Sequence, residues 1–338
     1  MDNSNTILVT GGAGFIGSHL VKLLIEKGEH VVVFDALTYA GHLENLIEVQ
    51  GHPGFQFVKG DISKQQDCEQ LFRQFNFNCI FHLAAESHVD RSIQGPLAFV
   101  HTNVLGTVNL LEEARKQGFN KQSSKLFFHI STDEVFGSLG SDGKFSESTS
   151  YAPHSPYSAS KASSDHFVRA YADTYGMPII ISNCSNNFGT HQFPEKLIPV
   201  VVNSLLKQTL IPVYGKGFNV RDWLWVEDHV HALYILWKEG RPGETYCIGG
   251  NNEWNNLDLV HLIIELFDEI KGNAVGTSSS LISFVVDRLG HDLRYAIDSS
   301  KILNETSWRP NSDFRQKLKS TIQWYMDNQD WVNSVSKP

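Results

Sequence analysis

The chain has 338 residues, 41% hydrophobic and 19% charged, a composition that can bury a sizeable core and that excludes a disordered polymer. Its 28 basic and 37 acidic side chains give a net charge of -9, without a basic run or aromatic–basic alternation, so nucleic acid is not an expected partner. Cys68, Cys79, Cys184 and Cys247 show neither Cys-x-x-Cys nor His–Cys spacing, no apolar run reaches membrane-spanning length, and Ile7-Leu8-Val9 is too short for a secretory segment; the expectation is a cytoplasmic protein with reduced thiols, no metal and no membrane partner.

In chain order, residues 6–10 read as a buried strand, followed by Gly11-Gly12-Ala13-Gly14-Phe15-Ile16-Gly17 and a helix over 18–27. Residues 31–34 predict a second strand ending at Asp35, and 55–58 a third ending at Gly60-Asp61. A helix near 68–75 leads to a fourth strand at 79–83, and 102–116 carries helical apolar spacing through Val104, Val108, Leu111 and Ala114. Residues 126–130 give a fifth strand, a helix with Tyr157 runs to about Tyr175, and 178–182 give a sixth strand. Strands alternating with helices predict an α/β fold, a Rossmann-like doubly wound parallel sheet. Beyond it, Pro, Gly and Trp scatter through 186–256. An amphipathic helix is expected at 257–270, a small-residue loop at 274–280, a strand at 282–286 and a terminal helix at 321–330. The division this suggests is 1–186 for cofactor and catalysis, and 187–338 mainly for a smaller mixed α/β substrate-binding lobe, interwoven with the first.

Gly11-x-x-Gly14-x-x-Gly17 lies between a strand and a helix, the setting a dinucleotide fingerprint requires. Glycines let the backbone turn tightly and approach a pyrophosphate, which rests on the helix N-terminus. Asp35 follows at the spacing of a ribose-binding carboxylate, and an acid there repels a 2′-phosphate, so NAD is expected rather than NADP. Asp61-Ile62 falls where an adenine-side contact would lie, although a capping role serves Asp61 equally well. The small residues of Leu83-Ala84-Ala85-Glu86-Ser87 would let a nicotinamide ribose lie against the backbone, whereas His82 and His88 read as structural.

The chemistry concentrates between Ser131 and Lys161. Tyr157 and Lys161 stand four apart, so on a helix they share a face, and an ammonium beside a phenol favours the phenolate that takes a hydroxyl proton. Thr132-Asp133-Glu134 alone would pass for a helix cap with an acidic first turn. Following a buried strand and joined by Tyr157, it reads as an acid and a base for a reaction that moves several protons. In the second half, Lys196, Arg221 and Arg288 are cations available to a diphosphate, and Tyr214 offers a stacking face for a base.

The glycine triplet with Tyr-x-x-x-Lys resembles the extended short-chain dehydrogenase/reductase superfamily. Leu83–Ser92, Ser131–Val135, Ser185-Asn186-Asn187, Phe193–Pro199 and Arg221-Asp222-Trp223 narrow the resemblance to the dTDP-glucose 4,6-dehydratase family, over nearly the whole chain. The resemblance implies that Tyr157 takes the sugar C4 hydroxyl proton while NAD takes the C4 hydride. Lys161 lowers the tyrosine pKa and holds the ribose, Thr132 orients the C4 oxygen, Glu134 removes the C5 proton, and Asp133 protonates the departing C6 hydroxyl. It also implies cofactor contacts from Phe15, Ile16, Asp35, Leu37, Thr38, Asp61, Ile62, Leu83, Ala85, Thr102, Tyr157, Lys161 and Asn187. Nucleotide-diphosphate-sugar contacts would come from Ser87, Thr132, Asn186, Lys196, Leu197, Pro212, Tyr214, Arg221, Asn256 and the run from Asp287 and Arg288 to His291. A homodimer packed through the Thr102 and Tyr157 helices is implied as well. Ala36, His42, Asn183 and Leu289 depart from the family pattern. Two alternatives stand beside this reading: a 4,6-dehydratase for a UDP- or CDP-hexose, and a superfamily member that binds NAD without catalysis.

Overall fold

A computed structural model describes residues 6–310 and 313–336; the few remaining positions of the two expected divisions lie outside it. The first half alternates β1 (Thr6–Thr10), α1 (Phe15–Glu26), β2 (His30–Asp35), β3 (Phe55–Lys59), α2 (Gln65–Gln74), β4 (Phe77–His82), α3 (Val89–Gln94), α4 (Pro96–Phe99), α5 (Gly106–Lys116), β5 (Leu126–Thr132), α6 (Pro156–Tyr175) and β6 (Ile179–Cys184). The second half adds β7 (Asn186–Phe188), α7 (Leu197–Lys207), β8 (Ile211–Tyr214), β9 (Val220–Trp225), α8 (Val226–Glu239), β10 (Thr245–Ile248), β11 (Glu253–Asn255), α9 (Asn256–Lys271), β12 (Ile282–Val285), α10 (Ser300–Glu305), α11 (Phe314–Asp327) and α12 (Gln329–Val335).

Seven strands form one sheet in the order β10-β6-β5-β4-β1-β2-β3, and every pairing is parallel. A parallel sheet is covered on both faces, which is why its strands read as near-continuous apolar runs; β1 and β5 are buried at every residue. On one face α1 and α8 pack Leu20, Leu24, Leu233 and Leu236 against Val9, Val33 and Phe81. On the other, α2, α5 and α6 pack Leu71, Leu110 and Val168 against Leu8, Ile80 and Phe127. The expected doubly wound sheet therefore forms, and α8 and β10 from the second half complete it. A separate core of α7, α9 and α11, with Ile198, Ile263 and Leu318, supports the small sheets β11-β9-β7 and β12-β8. The chain winds outward from β1 and β4 in opposite directions, so the crevice beyond their C-terminal ends is the topological switch point where such sheets bind ligands.

Several boundaries differ from expectation for local reasons. α1 starts at Phe15 rather than 18, because Gly14 takes an extended N-cap conformation and Gly17 sits inside the first turn. The stretch expected as one helix over 102–116 opens with a π-helical segment, Val100–Leu105, before α5. Asn103 in that segment uses its buried amide to donate to Glu86 O and Ser160 Oγ and to accept from Glu86 N. The small-residue stretch at 274–280 contains a 3-10 turn, Thr277–Leu281, held by Ser278 bonding to Asp268. The terminal helix is two helices, broken at Asn328 where φ is -116° and ψ is 42°.

Candidate active site

At the end of β1 the chain turns through Gly11, whose φ is +69°. A Cβ on Gly11 would lie 2.7 Å from the Ala84 backbone, and one on Gly17 would lie 2.2 Å from Gly11 O, so the turn closes only without side chains. No side chain caps the N-terminus of α1, which leaves its backbone N–H groups and positive dipole end facing the crevice. Asp35 accepts from Ala13 N at 3.0 Å and Leu37 N at 2.8 Å, tying the glycine turn to the next loop. Leu37 takes φ 53° to make that bond. Asp61 accepts from Ser63 N and Ser63 Oγ at 2.9 and 2.8 Å, a local turn ahead of α2, whose N-cap is Lys64 rather than Asp61, and it borders the crevice.

The crevice encloses about 350 Å³. Gly11, Gly14, Phe15, Ile16, Gly17, Asp35, Thr38, Asp61, Ile62, Leu83, Ala85, Thr102 and Asn187 line it, together with Ser87, Thr132, Asp133, Glu134, Tyr157, Lys161, Asn186 and Lys196. Glycine cradle, free helix end and ribose-side carboxylate occupy one wall and Tyr157 and Lys161 another, an arrangement that fits a nicotinamide dinucleotide. Among the described residues no group of three or more His, Cys, Asp or Glu could hold a metal ion, and no helix is long and apolar enough to cross a membrane.

The reactive groups come from two neighbouring elements. β5 ends at Thr132, whose Oγ1 accepts from Glu134 N at 3.3 Å and caps a single 3-10 turn, Asp133–Phe136. That turn places two carboxyls side by side in different surroundings. Asp133 is 1% exposed and its Oδ2 has no hydrogen-bond partner within the protein. Burial first, then the charges of Glu134 and Asp222, push its pKa well above the usual carboxylate range and favour its protonated form. Glu134 is half-buried; burial raises it too, but Arg221, Lys196 and Arg288 pull it back. Of the two, Asp133 is the better suited to hold a proton and Glu134 the better suited to give one up.

α6 starts with a capping box between Ser155 and Ser158 and with Pro156 in its first turn, which fixes where Tyr157 enters. The Tyr157 phenol is hydrogen-bonded to the Thr132 side chain, and burial above all raises its pKa. Burial lowers the pKa of Lys161, whose Nζ donates to Ile130 O at 2.8 Å. The helix therefore brings the two side chains to one wall, but here the lysine spends its hydrogen bond on β5.

The remaining sugar-side residues stand apart from the crevice lining. Arg288 pairs with Asp90 of α3, Nε to Oδ1 at 2.5 Å, and lies 5.3 Å from the Tyr214 ring centre. His291 pairs with Asp287 at 2.6 Å. Arg221 donates to the carbonyls of Val220 at 2.8 Å and Asp292 at 3.0 Å, with its guanidinium 4.1 Å from the Tyr295 ring centre. Pro212 and Tyr214 lie on β8, Asn256 begins α9 with its N–H on Asn219 O, and Leu197 begins α7 and packs on the second core. Leu37 packs against the first core instead of lining the crevice.

His82 is structural, bonded to Thr10 Oγ1 and Thr107 Oγ1. Of the departures, His42 stacks on Phe193 at 5.7 Å, Ala36 borders the crevice, Leu289 is 79% exposed, and Asn183 donates to Thr132 O at 3.1 Å. Asn103, Tyr39, Glu86 and Glu195 border or brace the crevice without having been singled out. Asn103, Glu86 and Glu195 lie inside the quoted stretches, and Tyr39 lies in none of them.

A parallel Rossmann sheet with a glycine-lined dinucleotide crevice and a Tyr-x-x-x-Lys helix defines a short-chain dehydrogenase/reductase. The family model described as GDP-mannose 4,6 dehydratase matches residues 8–321. The dTDP-glucose 4,6-dehydratase of Salmonella typhimurium is 50% identical over 97% of this chain and 95% of its own length. The crystal structure of the Bacillus anthracis dTDP-glucose 4,6-dehydratase in complex with NAD superposes with a TM-score of 0.88 at 44% identity, covering 98% of this chain and all of that one. The Streptomyces venezuelae enzyme of the same name, with NAD bound, gives a TM-score of 0.90 at 42% identity and the same coverage. The chain belongs to the dTDP-glucose 4,6-dehydratase family.

Proposed function

We propose that this chain is an NAD-dependent hydro-lyase that converts dTDP-glucose to dTDP-4-keto-6-deoxyglucose. The observation that carries the reading is the adjacent pair Asp133 and Glu134, both raised by burial but Asp133 the more strongly, held one turn beyond β5 and beside Tyr157. Loss of water β to a ketone needs one base for the C5 proton and one acid for the C6 oxygen, and a carboxylate next to a protonated carboxyl provides both.

Gly11, Gly14, Gly17, Phe15, Ile16, Asp35, Thr38, Asp61, Ile62, Leu83, Ala85, Thr102 and Asn187 would hold the cofactor, with Leu37 bracing Asp35. The chemistry NAD supplies when bound is reversible hydride exchange with the sugar, from C4 and back to C6. Tyr157 takes the proton of the C4 hydroxyl, and Thr132 holds that oxygen. Lys161 places a positive charge in the same buried wall, offsetting the cost that burial imposes on the phenolate. Glu134 then removes the C5 proton, Asp133 gives its proton to the leaving C6 hydroxyl, and Glu134 returns a proton to C5. At the end of these steps Tyr157 holds one proton more and Asp133 one fewer, so a proton passes from the phenol to the Asp133 carboxylate before the next turnover.

Lys196, Arg221 and Arg288 would meet the diphosphate and Tyr214 the base, with Ser87, Asn186, Leu197, Pro212, Asn256, Asp287 and His291 around them. Apolar side chains exposed on α4, the π-helical segment and α6, among them Leu97 at 71% and Phe167 at 42%, support a homodimer joined through those helices. Four free, buried thiols are consistent with a cytoplasmic setting.

The test is the mass of the sugar nucleotide after incubation of the purified protein with dTDP-glucose, and separately with UDP- and CDP-glucose. Loss of one water from the dTDP sugar, without accumulation of reduced cofactor, is the expected result. Turnover confined to another nucleotide would overturn the assigned base, and no turnover at all would leave an NAD-binding protein.

A further inference from the structure

Asp165 is a fully buried carboxylate that the reaction above does not use. It lies on α6 one turn beyond Lys161, on the same face. Its oxygens accept from Ser131 Oγ at 2.8 Å, Tyr151 OH at 2.8 Å and His129 Nε2 at 3.0 Å, with Asn183 Nδ2 at 3.4 Å. A buried charge survives only where such donors replace water, and three good bonds are more than helix packing requires.

The donors are placed tellingly. Ser131 immediately precedes Thr132-Asp133-Glu134, Tyr151 lies in the segment leading into α6, and Asn183 also holds Thr132 O. Lys161 Nζ grips Ile130 O on the same strand. Two successive residues at the end of β5 are thus tied to α6, one through Lys161 and one through Asp165. These ties fix the acid–base turn against the helix that carries Tyr157.

We propose that Asp165 is a positioning residue for dehydration, holding the end of β5 against α6 and serving as the buried counter-charge that keeps Lys161 protonated. The inference rests on the function proposed above and adds a residue to it. The ionisable groups around Asp165 and Lys161 include His129, Tyr151, Arg169 and the Cys184 thiol, which burial pushes up to about 12 and which donates to Ser131 O. His129 on β5 is kept neutral by burial, with its pKa lowered to about 4. Tyr151 is held protonated, and Arg169 of α6 donates to the Tyr151 hydroxyl at 3.0 Å, lies 5.0 Å from its ring centre and disfavours a charge on His129. Lys161 is the cation one turn away on α6, and among the charges acting on it Asp165 is the strongest that favours the ammonium. The Asp165 pKa itself lies below the usual range, because its hydrogen bonds and the nearby cations outweigh burial, so it is ionised throughout the working pH range.

Charge and geometry separate by mutation. Asp165→Asn removes the charge, so Lys161 loses its proton at lower pH and the alkaline limb of the kcat profile moves toward neutrality. Ser131→Ala and Tyr151→Phe each remove one donor and keep the charge. They lower kcat on the order of 10-fold, short of the ~10²-fold that an ångström of misplacement costs, with KM for dTDP-glucose and the alkaline limb unchanged. An Asp165→Asn enzyme with the wild-type alkaline limb overturns the proposal, and so does Ser131→Ala with wild-type kcat. If Asp165→Asn does not fold, the Ser131 and Tyr151 variants decide. Wild-type turnover of dTDP-glucose in the same assay tests the function separately: an inactive wild type refutes that reading, whereas an active wild type beside unaffected variants refutes only this one.

Discussion

The cofactor wall of the crevice and the sugar side next to it are built differently. The cofactor wall is made of backbone: a glycine turn, an uncapped helix end and a carboxylate that two N–H groups already hold. The sugar side is made of long side chains on loops and two short strands, Lys196 lining the crevice and Arg288 and His291 standing beside it, each pairing with the protein itself: Arg288 with Asp90, His291 with Asp287, Lys196 with Ser87 O. A backbone wall is rigid and has no alternative arrangement. A wall of paired side chains must exchange partners when a diphosphate arrives. One shape therefore suits a resident cofactor, and the other suits a substrate that enters and leaves at every turnover.

Between the walls stand the groups that do the chemistry, and changing them gives the largest effect. Asp133→Asn and Glu134→Gln should each lower dehydration on the order of 10²–10⁴-fold while hydride removal at C4 survives. Slow appearance of reduced cofactor absorbance without loss of water from the sugar would show this, and wild-type dehydration by both variants would refute the assigned roles. On the rigid wall, Gly17→Ala forces a Cβ to 2.2 Å from Gly11 O. Overpacking costs up to about 3 kcal/mol, or ~10²-fold in NAD affinity, measurable by titration calorimetry. Unchanged NAD binding would mean that the wall can yield, and the contrast would fail.

On the exchangeable wall, Arg288→Ala should raise KM for dTDP-glucose by about 10-fold, the equivalent of ~1.5 kcal/mol for one charged hydrogen bond, and leave NAD affinity unchanged. Steady-state kinetics read this directly. Acid should act mainly on the rigid side and its support. Burial lowers His19 and His129 to about 4 and His229 to about 3, against a usual 6.5. The stabilising effect of keeping them neutral is fully present above pH 6.5 and is lost as pH falls toward those values. Each group costs ~2 kcal/mol at pH 5, so the melting temperature should drop by several degrees between pH 7 and pH 5.

The same contrast explains what could be read from the sequence. A backbone wall needs glycine at fixed intervals, so Gly11, Gly14 and Gly17 followed by Asp35 announced it. Tyr157 and Lys161 were legible because helical spacing converts four residues into one face. Asp165 was not, because its partners Ser131, Tyr151 and His129 lie 34, 14 and 36 residues away and only the fold brings them together. The sugar wall was half legible. Its cations could be named, but that Arg288 rests on Asp90 depends on an approach between positions 198 residues apart. The break between α11 and α12 was missed because apolar spacing continues across Asn328, and the backbone angles that end the helix leave no mark in the composition.

The central claim is that acid, base and tyrosine act on one sugar while the hydride leaves C4 and returns to C6 of the same molecule. The most direct test is turnover of dTDP-glucose deuterated at C4, mixed with unlabelled substrate in ordinary water. The product should have lost one water and carry the deuterium at C6, with label never crossing to unlabelled molecules. Deuterium lost to solvent, or a product that keeps its C6 oxygen, would contradict it.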